Sequence, residues 1–126
     1  MIALGIVLAT IASFLASAII YAAPPVSAVV GRASTPRPGV PTAVQMASVL
    51  FRSLIASCLI AGLMAAANWE GLTAGAALGF AVATLPAILL MGAVIHENTP
   101  IPVAAVHLLD WVVKLVLIGT IVGLFT

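Results

Sequence analysis

The chain has 126 residues, 64% of them hydrophobic, with four Lys or Arg against three Asp or Glu and a formal net charge of +1. A soluble domain carries about 25% charged residues, so 6% leaves a surface that water does not cover and points to an integral membrane protein whose first partner is the lipid bilayer. The small net charge and the absence of arginine–aromatic clusters argue against nucleic acid as a partner, and the lone Cys58, in an apolar segment, has no partner in the chain for a disulfide or a paired-cysteine metal site.

An apolar run of about 18 or more residues is long enough to cross a 30 Å hydrocarbon core as a helix. The first such run, 2–23, carries no charged side chain and ends at Pro24-Pro25, which cannot continue a helix without losing hydrogen bonds. Its lack of a positively charged start argues against a cleaved leader. From 24 to 46 the composition changes to Pro, Gly, Ser, Thr and arginine, as in GRASTPRPGVP from Gly31 to Pro41. Five prolines between Pro24 and Pro41 predict a long loop of extended character.

The second span is expected over 47–67, with Arg52 near its start, closed by the polar corner Asn68-Trp69-Glu70-Gly71. Trp69 suits the headgroup interface. A third span over 72–95 contains Pro86, which predicts a kink. The turn His96–Pro102 leads to a fourth span over 103–125. No period-two pattern competes. The expected fold is all-α, an up-and-down bundle of four transmembrane helices forming a single membrane domain.

Lys and Arg favour the cytoplasmic side of a membrane. Arg32, Arg37 and Arg52 belong to the first loop or its border, whereas the second loop offers only Glu70. The first loop is therefore expected in the cytoplasm of a bacterial cell, with both termini outside the plasma membrane.

Small residues let helix backbones approach in lipid, where the hydrophobic effect no longer drives association. Gly71, Gly75, Gly79 and Ala83 form one stripe on the third span and Gly119 and Gly123 another on the fourth, while the first has Gly5, Ala9, Ser13 and Ser17 and the second Ser53, Ser57, Ala61 and Ala65. Such stripes fit packing inside one bundle better than a homodimer face.

The fourth span contains His107-Leu108-Leu109-Asp110-Trp111-Val112-Val113-Lys114. At about 100° per residue, His107, Asp110, Trp111 and Lys114 share one sector of the helix. A charge at mid-membrane costs roughly 2.5–3.5 kcal/mol, so that sector should face protein or water. Asp110 and Lys114 have the favourable acid-first spacing of four. With the second and fourth spans entering from one side, Arg52 and Asp110 differ in depth by only about 3 Å, and an intramembrane cluster of Arg52, Asp110 and Lys114 with His107 above it is expected. Its plain role is to hold the helices in register; a proton or ion path is the sharper alternative. No nucleophile–base, metal-ligand or phosphate-loop motif accompanies it, and neither an enzymatic activity, a cofactor nor a metal is expected.

The Gly-rich third helix with its turn, GAALGFAVATLPAILLMGAVIHENTPI from Gly75 to Ile101, and the ending LVLIGTIVGLF from Leu115 to Phe125, resemble a family of small bacterial membrane proteins catalogued as domain of unknown function 1761. Where such proteins carry Tyr-His late in the chain, this one has Asp110-Trp111. The resemblance implies a four-helix bundle with no established activity. Three roles are then in view: an accessory or assembly partner of a larger membrane complex, a small homo-oligomeric transporter or ion conductor that forms its path as a homodimer, and an intramembrane enzyme using the polar cluster.

Overall fold

In an apolar run the backbone has only its own carbonyls to bond to, so the run becomes helix. The computed structural model, which describes residues 1–126, contains α1 (Ile2–Ala22), α2 (Pro24–Ala33), α3 (Thr42–Ala67), α4 (Leu72–Val82), α5 (Thr84–His96) and α6 (Ile101–Gly123), and no strand. α1, α3, α4 with α5, and α6 are each long and apolar enough to cross a membrane. Only 23 of 126 residues are buried, while large side chains such as Leu15, Ile19, Phe51, Phe80 and Leu89 lie open. So much exposed apolar surface is stable against acyl chains and not against water, which argues for a multi-pass membrane protein.

The proline-rich stretch is not the long extended loop its composition predicts. α2 occupies Pro24–Ala33, with Pro24 and Pro25 in its first turn. Prolines there lose nothing, because first-turn N–H groups have no intrahelical acceptor and the fixed φ already suits a helix. The next proline is Pro36, so the segment between is free to coil. α3 also starts at Thr42, ahead of the expected 47, and the connection shrinks to 34–41.

α3 ends on Asn68 in the left-handed conformation (φ 54°, ψ 38°), and the Trp69 N–H reaches back to the Met64 carbonyl at 2.9 Å. That closure is a Schellman cap, in which asparagine tolerates the positive φ. The expected kink lies at Ala83, between α4 and α5, three residues ahead of Pro86. Pro86 has no N–H for the Val82 carbonyl and its ring crowds that oxygen, so the distortion falls one turn upstream.

α6 is the hub and touches α1, α3, α4 and α5. Gly5 lies against Phe125 and Tyr21 against His107, so α1 runs antiparallel to α6. Gly71 meets Gly123, Gly75 meets Gly119 and Gly79 meets Leu115, so α4 does the same. A Cβ added at Gly75 would fall on the Gly119 carbonyl, 2.8 Å from its carbon, and one at Gly119 would fall 2.7 Å from the carbonyl carbon of Gly75. The glycine stripes of the third and fourth spans are thus spent on each other. Ala9, Ile60, Met64, Leu115, Ile118 and Val122 form the apolar core beside them.

Candidate functional site

The polar residues of the spans collect on the other side of α6, where α1 and α3 approach it. Ser17 ends the stripe of α1, Tyr21 continues its spacing by one turn, and α3 presents Arg52. With His107, Asp110, Trp111 and Lys114 of α6 they line a cavity of about 290 Å3. Tyr21, Met46, Val49, Arg52 and His107 also line a wider vestibule of about 740 Å3 whose rim carries Ser27, Arg37 and Gln45. The cavity therefore opens toward α2 and the 34–41 connection.

Asp110 and Lys114 are buried, at 6% and 2% exposure. Lys114 Nζ stands 3.5 Å from Asp110 Oδ2 and 5.0 Å from the centre of the Trp111 ring. Ser17 Oγ donates to Asp110 Oδ1 at 2.5 Å. Both carboxylate oxygens are therefore engaged, one within α6 and one from α1. Above them Tyr21 Oη and His107 Nδ1 share a hydrogen bond of 2.5 Å, its direction set by the histidine tautomer. Two bonds thus join α1 to α6, one helical turn apart.

Of the four residues that the sequence groups into one cluster, Asp110 and Lys114 form an ion pair, and His107 sits one turn nearer the vestibule on Tyr21. Arg52 shares the cavity but makes no ion pair, so the expected Arg52–Asp110 contact is not formed. The reason is competition: Ser17 and Lys114 occupy both oxygens at short range. Asp110 offsets one of the two cations, leaving the cavity one positive charge in excess. No three His, Cys, Asp or Glu side chains converge as a metal site.

Deeper along α1 and α3 the polar row continues through buried hydroxyls. Ser13 donates to the Thr10 carbonyl at 3.1 Å, Ser57 donates to the Ser53 carbonyl at 2.9 Å, and Thr10 donates to the Ile6 carbonyl at 2.7 Å with Ser57 Oγ 3.2 Å away. Ser53 Oγ is buried and has no partner. Below this row Ala9, Ile60 and Met64 are fully buried and close the interior. Polarity enters from one face of the molecule and stops part-way.

Ser17 and Tyr21 escape a reading of the sequence because Ser17 lies on a small-residue stripe that packing explains, and Tyr21 near a helix end reads as interfacial. The signal that finds them is the continued spacing of four, Ser13, Ser17, Tyr21, facing a helix that carries charge.

The family described as "Protein of unknown function (DUF1761)" matches residues 4–123. No curated protein and no solved structure matches the chain.

Proposed function

The chain belongs to this family of unknown function, and on that premise we propose, from its own geometry, that it is a structural or accessory component of a bacterial plasma membrane and not an enzyme. One observation carries the reading: the polar side chains that face each other across α1 and α6 tie those two helices together, Ser17 to the Asp110 that Lys114 also holds and Tyr21 to His107. Groups so engaged fix the register of α1 against α6, a task that pays in lipid because few other forces orient one helix against another. The protein then offers a stable apolar body to a larger membrane assembly.

The test is purification from native membranes in mild detergent, with quantitative mass spectrometry of what accompanies the chain. A larger membrane protein in stoichiometric amount is the expected result. Recovery of the chain alone, or only with itself, overturns the accessory role.

A second reading, a homo-oligomeric conductor of protons or ions, is favoured by the continuation of the polar row through Ser13, Ser53 and Ser57 and by the unsatisfied Ser53 hydroxyl. In one chain the row ends at Ile60 and Met64, so conduction requires a second copy or a rearranged core. Proton flux into liposomes holding the purified chain supports it, and a tight liposome sinks it.

We read the first loop as cytoplasmic and both termini as outside, supported by Arg32 and Arg37 at that end of the molecule and Glu70 at the other. Ser34→Cys in a Cys58→Ser background checks this. Labelling of intact cells by a membrane-impermeant thiol reagent reverses the orientation.

A further inference from the structure

Arg52 and Trp111 line two hollows at once. One is the cationic cavity described above; the other is an apolar groove of about 410 Å3 whose walls include Ile55, Leu59, Leu85 and Leu89. The groove exists because of the kink at Ala83: α3 touches α4 but not α5, so the chain leaves α3 at the kink and opens a furrow along it. Leu59, at 49% exposure, and Leu89, at 74%, face outward, which leaves the furrow open to the surrounding acyl chains.

We propose that the cavity and the groove together bind a single-chain anionic amphiphile, its carboxylate or monophosphate head on the Arg52 guanidinium and its acyl tail along α3 and α5. Charge complementarity identifies the head. Arg52 has no counter-ion in the protein, the cavity holds one positive charge in excess, and a bare charge in hydrocarbon is costly. A planar guanidinium offers paired donors that match the oxygens of a carboxylate or phosphate. Asp110 faces the same cavity, but Ser17 and Lys114 already engage its two oxygens, so the neighbouring cation stays open to an outside anion.

Depth identifies the tail. Arg52 lies six residues beyond Met46, the last residue before the apolar run expected over 47–67, about 9 Å along the helix; with the headgroup plane at the start of that run, the arginine sits beneath it. A two-tailed phospholipid keeps its head in that plane, whereas a single-chain acid can sink to the arginine and draw water after it through the vestibule at Arg37 and Gln45. This inference does not depend on the accessory role proposed above.

The full chain, purified in a neutral maltoside detergent, is titrated with palmitate and the complexes are counted by native mass spectrometry. One palmitate per chain is expected. Arg52→Gln should weaken binding roughly tenfold or more, the size of a lost charged hydrogen bond, and Leu89→Trp, which fills the groove, should weaken it independently. Both positions are exposed, so both variants should keep the parent's helical circular dichroism. Equal binding by Arg52→Gln overturns the proposal. So do hexadecanol binding as well as palmitate, which makes the head irrelevant, inorganic phosphate displacing palmitate, which makes the tail irrelevant, and phosphatidylglycerol displacing it at equal concentration, which makes a bilayer lipid the occupant.

Discussion

Ser17 on α1 donates to Asp110 on α6 at 2.5 Å, and the opposite oxygen of that carboxylate faces Lys114 one turn along the same helix. The hydroxyl makes the ion pair a joint between helices, because it is the only side-chain bond that fixes the charged pair to anything outside α6.

Removing the acid alone should be severe. Asp110→Leu leaves Lys114 buried without a counter-charge, a loss of about 3–5 kcal/mol. Asp110→Leu combined with Lys114→Met replaces the pair by apolar volume and should recover most of that loss. Unfolding in mixed detergent, followed by circular dichroism, checks both. A single variant as stable as the double one contradicts the geometry.

The upper tie is weaker and separable. Tyr21→Phe should cost about 0.6 kcal/mol, the usual worth of a hydrogen bond between membrane helices. In a double-mutant cycle with His107→Ala, the two losses should be less than additive by a similar amount. Full additivity means that the bond of 2.5 Å contributes nothing.

Glycines should divide into two groups by position. Gly119→Ala drives a methyl group into the Gly75 carbonyl and should destabilise by about 1–3 kcal/mol, the typical penalty of overpacking. Gly62→Ala and Gly92→Ala meet nothing within 4 Å and should be neutral, or gain up to about 1 kcal/mol from better helix propensity. Equal effects at all three sites would place the α4–α6 contact elsewhere.

Ser53→Ala should stabilise the chain. Its hydroxyl is buried with no partner, a state that costs about 1–3 kcal/mol, and alanine removes the cost with little change of volume. The same unfolding assay reads the gain. A clear loss of stability shows that something in the membrane satisfies the hydroxyl.

Much of this fold is legible in the sequence because the membrane makes the rules strict. Length and hydropathy alone delimit spans when every backbone group must be satisfied internally, and spacing of four in Gly75–Gly79 and Gly119–Gly123 marks a contact face. What misleads is chemistry that depends on position: Pro24 and Pro25 break a helix they follow and begin the one they open. In the polar cluster, the i,i+4 pair of Asp110 and Lys114 is local and can be read. The third member is only half legible, because depth brings Arg52 to the same cavity but does not show which partners already hold the carboxylate. Arg52 lies at a compatible depth but leaves the carboxylate to Ser17, whose hydroxyl resembles packing until the helix it faces is known.

The glycine contact between α4 and α6 also governs how the molecule can move. Where two backbones meet with no side chain between them, neither helix can roll or slide without collision. α4 and α6 therefore travel as one plank. On the other flank of α6, α1 is tied by hydrogen bonds that water or a ligand can replace one at a time. Strain on the bundle is therefore expected to part the walls of the polar cavity before it parts α4 from α6.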